Sequence, residues 1–109
     1  MAPNEILLLG DLILDVPDPD HWLAGIAPLT HAADLVIGHL EVPYTASEEE
    51  MPGDVPAPGA NPAHLDALAR AGIGAVSMAG NHMMDCGVPG LTETIGGLDR
   101  NGIAHAGAG

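Results

Sequence analysis

The chain has 109 residues, of which 47% are hydrophobic, and its lack of Phe means that any core is aliphatic. This is enough for a single domain. The formal net charge is −13, because 15 acidic residues are opposed by only 2 basic ones, Arg70 and Arg100. So few cations exclude nucleic acid and anionic membrane surfaces as partners, since both need a basic footprint. An anionic ligand could be held only by helix N-termini, backbone N–H groups, His or a bound metal cation.

Cysteine content and hydropathy limit the cellular context. Cys86 is the only cysteine, so an intrachain disulfide is excluded. The N-terminus lacks the basic region and cleavage site of a signal peptide, and no apolar run approaches the roughly 18 residues of a membrane span. We therefore expect a cytoplasmic protein with no membrane span.

The first predicted elements are a strand and a helix. Glu5–Leu9 is apolar and is closed by Gly10-Asp11, which predicts a first buried strand. Asp18 and Pro19 are typical of an N-cap and a first helical residue. The predicted helix ends near Pro28 and places three large apolar side chains on one face: Trp22, Leu23 and Ile26.

A second strand, Leu35–Ile37, ends at Gly38-His39-Leu40-Glu41. Residues 42–60 are rich in proline and are predicted to form an irregular surface loop, long enough to be functional. The acidic run Glu48–Glu50 within it is expected to be solvated surface rather than a cation site.

The second half repeats the pattern of helix and strand. Asn61-Pro62 opens a helix that Gly72 ends, and Ile73–Met78 is predicted to be a strand buried on both faces. The last two predicted elements are a helix over Pro89–Asn101 and a strand over Ile103–Ala106. Strands that alternate with helices predict an α/β fold: a parallel βαβαβαβ sheet with flanking helices and right-handed crossovers.

Polar residues follow three of the predicted strands directly. In a parallel sheet these strand ends lie at one edge, where α/β proteins place their sites. Carboxylate, amide and imidazole groups without a thiolate cluster suit Mn²⁺, Fe²⁺, Zn²⁺ or Mg²⁺. Each residue alone is more typical of a turn or a solvated loop, but the repeated arrangement predicts convergence of five side chains: Asp11, His39, Glu41, Asn81 and His82. Two neighbours have supporting roles, with Asp85 orienting the loop or the imidazole and Cys86 packing as a small hydrophobe.

The same residues closely resemble the N-terminal part of the CapA family of capsule and poly-γ-glutamate synthesis proteins, which are related to the calcineurin-like metallophosphoesterases. The resemblance extends over nearly the whole chain in order and spacing. It rests on seven stretches: Gly10-Asp11, Ala33 to Glu41, Ala71-Gly72-Ile73, Ser77 to His82, Asp85-Cys86-Gly87, Leu91 to Thr94, and Gly102-Ile103.

The resemblance implies the N-terminal part of an αββα sandwich with a divalent metal site at the strand ends. By position it implies Asp11, Glu41 and Asn81 as metal ligands and His82 as a general acid or charge stabiliser. The implied activity is metal-dependent hydrolysis or transfer at phosphoryl or acyl groups. The implied substrates are an anionic polymer or a phosphorylated small molecule.

Several departures from the family qualify this resemblance. His39 stands where the family usually has Asn, so it either adds a ligand or reshapes the site. Gly80 replaces a frequent Asn. The family's later His-containing motifs do not occur in residues 1–109, so we expect a single, incomplete CapA-like domain that is inactive alone. The alternative is a non-catalytic assembly module that associates with itself or a partner through the open sheet edge.

Overall fold

The structure, a computed structural model, describes residues 4–53 and 58–108. Its centre is a four-stranded sheet in which every neighbouring pair is parallel. The strands lie side by side in chain order: β1 (Ile6–Asp11), β2 (Leu35–His39), β3 (Ala75–Ser77) and β4 (Ala104–Ala106). The connections contain a 3₁₀ turn (Pro62–His64) and four α-helices: α1 (Pro19–Leu23), α2 (Ala27–Ala32), α3 (Leu65–Arg70) and α4 (Gly87–Arg100). The predicted α/β class with a parallel sheet and flanking helices is confirmed.

The strand order determines where the helices lie. Each strand is added on the same side of the previous one, so right-handed crossovers carry all connections across the same face of the sheet. Burial agrees, because Val36 and Val76 point into the core and are 1% and 3% exposed. They share that core with apolar residues of the helices and their ends, among them Leu65, Leu68, Ile73 and Leu98.

No helix of the described residues packs on the opposite face of the sheet, and we call this face the open face. Its β1–β2 half carries large aliphatic side chains: Ile6, Leu8, Leu35 and Ile37. Its β3–β4 half carries small ones: Ala75, Ser77, Ala104 and Ala106. Ile6 is 59% and Leu8 72% exposed. The predictions of a buried first strand and of a third strand buried on both faces were therefore wrong, because neither run contains information about strand order.

The first helical segment also differs from the prediction. The chain forms two short helices, α1 and α2, and Pro28 lies in the first turn of the second rather than at the end of the first. A proline is tolerated there because the first N–H groups of a helix need no intrahelical partner. Trp22 was predicted to share one helix face with Leu23, but Leu23 is buried whereas Trp22 is 64% exposed, and the Trp22 ring contacts the His21 ring edge-on.

The predicted boundaries of the third helical region are confirmed. The Asn61 side chain accepts a hydrogen bond from the Ala63 N–H at 2.9 Å, as an N-cap does. Gly72 follows α3 with a φ of 88°, a conformation that favours glycine at a helix C-terminus. Within the described ranges, none of the helices combines the length and apolar character that crossing a membrane requires.

Residues 42–60 were predicted to be an irregular surface loop, and the ends of this segment are instead part of the core. Val42, Tyr44 and Ala60 are buried, and an isolated parallel bridge joins Tyr44 to Ala60. The acidic run Glu48–Glu50 is exposed, as predicted. Residues 54–57 of this loop lie outside the described part of the chain.

Tyr44 ties the segment after β1 to the rest of the molecule. Its hydroxyl donates to the Leu12 carbonyl at 2.9 Å and accepts from the Leu14 N–H at 3.0 Å. Its own backbone N–H donates to Thr94 Oγ1 on α4 at 2.9 Å. The ring is fully buried, and this burial raises the pKa of Tyr44 to about 12.

This tether gives a prediction for alkaline pH. The pKa of Tyr44 is higher in the folded state than its ordinary value of 10.0. The hydroxyl therefore contributes stability that is present below pH 10 and is lost as the pH rises to about 12. We expect the free energy of unfolding to fall by roughly 2–3 kcal/mol across this interval, measured by urea denaturation.

The matched variant is Tyr44→Phe, which removes the titrating group but keeps the ring. It should lose this alkaline step and be destabilised at neutral pH by roughly 1–3 kcal/mol, because the backbone groups of Leu12 and Leu14 lose their partner. Because the chain has one tyrosine, tyrosinate absorbance reports this residue alone. Titration near the ordinary pKa in the folded protein would contradict the prediction.

Candidate metal centre

The ends of β1 and β2 lie side by side at the carboxyl edge of the sheet. Asp11 and His39 are register partners, and the Leu12 N–H donates to the His39 carbonyl at 2.7 Å just beyond them. Gly38 permits this close approach, because a Cβ at that position would lie 2.4 Å from Leu12 Cδ1. The two strand ends are therefore held together by a backbone hydrogen bond and by the Leu12 side chain, which packs against Gly38.

Three side chains meet at this edge, and we call Asp11, His39 and Glu41 the carboxylate–histidine cluster. His39 Nδ1 lies 2.8 Å from Asp11 Oδ1 and 3.2 Å from Glu41 Oε2. One potential ligand atom from each residue lies within 4.8 Å of the others. Asp11 is 57% exposed, whereas His39 and Glu41 are 26% and 19% exposed, so the cluster is open on the Asp11 side.

The donor set is chemically suited to a divalent cation. Two carboxylates this close repel each other by between about 1 and 3 kcal/mol, depending on how far solvent screens them. His39 Nδ1 lies within hydrogen-bond distance of both carboxylates, and it carries one proton at most. A set of oxygen and imidazole ligands in one small volume suits Mn²⁺, Fe²⁺, Zn²⁺ or Mg²⁺. It differs from the thiolate-rich ligand set of a structural zinc site.

His82 lies beside the cluster, and Asp85 orients its ring from the side away from the cluster. Its Nε2 is 3.9 Å from Glu41 Oε1, and its Nδ1 is 2.6 Å from Asp85 Oδ2. Asp85 is fully buried, so it fixes one edge of the imidazole while the other edge faces the cluster. This pairing of a carboxylate with the far nitrogen of a histidine is common around metal sites and selects one tautomer.

Asn81 and Gly80 occupy the turn that passes the cluster. Asn81 is exposed, and its side chain forms no hydrogen bond with any residue of the described ranges. Gly80 is closer, because a Cβ placed on it would lie 2.9 Å from His39 Nε2 and 3.8 Å from Glu41 Oε2. The turn therefore packs on the cluster through its glycine.

Cys86 and the acidic run Glu48–Glu50 are not members of the cluster. Cys86 is buried, and burial raises the pKa of its thiol, which therefore stays protonated at neutral pH. A cavity of about 310 Å³ borders it and is lined in part by the exposed run Glu48–Glu50. The other histidines lie elsewhere: for example, His64 Nδ1 contacts the Leu14 carbonyl at 2.6 Å, and His105 pairs with Asp99.

Two residues that support the site were assigned no function from the sequence alone. Tyr44 holds the segment that follows Asp11, and a lone buried tyrosine within a proline-rich stretch was the available signal. Gly38 has no side chain, and its contact with Leu12 depends on how β1 and β2 are paired. A contact of that kind has no local signature in the sequence.

Comparison with known proteins gives a family match. The family model described as bacterial capsule synthesis protein PGA_cap matches residues 5–109. This range contains the whole carboxylate–histidine cluster together with Asn81, His82 and Asp85. A comparison with curated proteins finds no significant match.

The packing of Gly80 against the cluster predicts the effect of one methyl group. In Gly80→Ala the new Cβ must displace the His39 ring. We expect the imidazole signals of His39 to shift in NMR spectra, while the free energy of unfolding changes by less than about 1 kcal/mol, because a side chain rather than backbone gives way. The matched control is Gly10→Ala next to Asp11, where a Cβ meets nothing within 4 Å. Equal His39 shifts in both variants would contradict the geometry.

Proposed function

The chain belongs to the bacterial capsule synthesis protein family PGA_cap, and from this we propose that it carries part of a divalent metal centre for poly-γ-glutamate or capsule polymer synthesis. The observation that supports this proposal is the carboxylate–histidine cluster at the carboxyl edge of a parallel sheet. The proposed reaction class is that of the metallophosphoesterases: metal-dependent hydrolysis or transfer at phosphoryl or acyl groups.

Asp11, Glu41 and His39 would hold the metal, and Asn81 would contribute its amide oxygen from the adjacent turn. When bound, a divalent cation polarises a phosphoryl or carbonyl oxygen and makes a bound water more acidic. The two carboxylates supply most of the negative charge that attracts the cation, and Glu41, at 19% exposure, is the less screened of the two. Asp11 leaves the site accessible to substrate from its exposed side.

The proposed role of His82 is to hold or transfer a proton at Nε2. Asp85 accepts a hydrogen bond from Nδ1–H, so neutral His82 has a free lone pair on Nε2, and only its imidazolium form carries there a proton that it could give to substrate. In this arrangement His82 acts as the general acid or stabilises developing negative charge, and Asp85 acts as a positioning residue.

The shortage of cations supports a metal-dependent mode of substrate binding. Arg70 is engaged in a bidentate ion pair with Asp20, with both N–O distances at 2.9 Å. Arg100 is in the last turn of α4, which ends at that residue. An anionic polymer or a phosphorylated small molecule would therefore be held by the metal and by N–H groups rather than by basic side chains.

Isothermal titration with Mn²⁺ tests the metal centre directly. We expect wild type to bind and the double variant Asp11→Ala, Asn81→Ala to bind at least roughly tenfold more weakly, a difference of about 1.4 kcal/mol. Asp99→Ala is the control, because it removes an exposed carboxylate that also pairs with a histidine but lies outside the cluster. Equal, negligible binding in wild type and the double variant would refute the metal centre.

The identity of residue 39 predicts metal preference. If His39 is a ligand, His39→Asn should weaken Zn²⁺ binding more than Mn²⁺ or Mg²⁺ binding, because imidazole favours zinc whereas the harder ions favour oxygen. Competition titrations with a chromogenic chelator would measure the three affinities. A uniform loss for all three ions would indicate instead that His39 shapes the site without ligating.

A further inference from the structure

Regular pairing of β1 with β2 does not by itself set the position of Asp11. The register of these strands shifts between Leu8 and Asp11, and such an irregularity redirects the side chains next to it. Leu12, which follows Asp11 directly, is held at both of its polar backbone groups. Its N–H donates to the His39 carbonyl at 2.7 Å, and its carbonyl accepts from the Tyr44 hydroxyl at 2.9 Å. The segment that carries Asp11 is therefore fixed just beyond the strand end.

Glu41 lies between two fixed points of the backbone. On one side the Leu40 N–H donates to the Ser77 carbonyl of β3 at 2.8 Å. On the other side, three residues after Glu41, the Tyr44 N–H donates to Thr94 Oγ1 of α4 at 2.9 Å. The two residues between Glu41 and Tyr44 are buried, and one of them is a proline, whose ring fixes its φ angle. The backbone that carries Glu41 is therefore short and stiff.

Helix α4 anchors the segment that contains Tyr44 at three consecutive residues. Thr94, which accepts from the Tyr44 N–H, is fully buried in the middle of this 14-residue helix. Its hydroxyl donates to a carbonyl one turn earlier in α4 at 2.8 Å. Its neighbour Glu93 accepts from the Ala46 N–H at 3.0 Å and from the Thr45 hydroxyl. The backbone of Tyr44 is thus fixed to a long helix, while its side chain reaches the segment after β1.

We propose that Tyr44 is a positioning residue that fixes the separation of Asp11 and Glu41 and thereby preorganises the metal centre, an inference that rests on the proposed function. Its hydroxyl holds the segment after Asp11, and its backbone holds the segment after Glu41. One buried side chain therefore bridges the two segments that carry carboxylate ligands. The bridge opposes the mutual repulsion of the carboxylates. A cation then meets ligands that are already close together, and its binding requires less reorganisation.

Titration of matched variants with Mn²⁺ tests the effect of the bridge on affinity. Tyr44→Phe keeps the ring but removes the hydroxyl, and we expect roughly tenfold weaker binding, the loss typical when a supporting partner of a metal ligand is removed. The control is Thr30→Val, which removes a buried hydroxyl that donates to the Ala71 carbonyl after α3, outside the cluster. This control should be destabilised as well but should keep the wild-type affinity for Mn²⁺. Equal dissociation constants for the two variants would overturn the proposal.

NMR of the metal-free protein in EDTA tests the bridge independently of the metal centre. His39 Nδ1 contacts both Asp11 and Glu41, so the imidazole signals of His39 report the separation of the carboxylates. We expect these signals to shift in Tyr44→Phe, which keeps the aromatic ring, and to stay in place in Thr30→Val. Unchanged signals in both variants would overturn the proposal even if wild type binds Mn²⁺. Shifted signals in Tyr44→Phe alone, without Mn²⁺ binding by wild type, would refute the metal centre while supporting the bridge.

A second pair of variants tests the attachment of Tyr44 to α4 while leaving Tyr44 itself intact. Thr94→Val removes the hydroxyl that accepts from the Tyr44 N–H and nearly preserves the side-chain volume, whereas Thr94→Ser keeps the hydroxyl. We expect Thr94→Val to shift the His39 signals and to weaken Mn²⁺ binding, and Thr94→Ser to remain close to wild type in both measurements. The same loss in both variants would show that packing rather than the hydrogen bond positions Glu41, and it would overturn the proposal.

Discussion

The constraint on which the rest of this structure depends is the order of its strands. Each parallel strand is added on the same side of the last, and the crossovers are right-handed, so every helix is placed on one face. Because all four strands are parallel, their carboxyl ends lie at one edge of the sheet. The site and the uncovered apolar surface are therefore two consequences of a single topology, and neither depends on the detailed choice of core side chains.

Electrostatics explains why the edge site is suited to a cation. Asp11 and Glu41 lie within reach of one imidazole because the ends of β1 and β2 are joined by backbone pairing and by the hydrogen bond from the Leu12 N–H to the His39 carbonyl. The chain has only 2 basic residues, and neither is a member of the cluster, whose imidazole is the only group there that can carry positive charge. The buried Asp85 then acts on His82 from the far side, and the pair adds a proton-carrying group without adding another exposed carboxylate.

The sequence predicted what depends on local chemistry and missed what depends on strand order. The Asn61 cap and the left-handed Gly72 were predictable because their effects involve only neighbouring residues. The residues of the cluster could be named because parallel strands share an edge. The exposure of Leu8 could not be predicted, because an apolar run looks alike in a sheet covered on one face and in a sheet covered on both faces. Pro28 was misread for a related reason: the same residue ends one helix or begins another.

The open face and the cluster are also physically continuous. Side chains alternate along a strand, so His39 lies on the same side of β2 as Ile37, two residues before it. The His39 ring therefore stands at the carboxyl end of the apolar surface, with Gly80 packed against its Nε2. Whatever covers the open face reaches the border of the cluster and forms one wall beside it. Covering that face would exclude water near His39 and Glu41, which strengthens every charge interaction in the site. In this topology, the open face and the carboxylate–histidine cluster are adjacent, so covering the face would change the environment of the cluster.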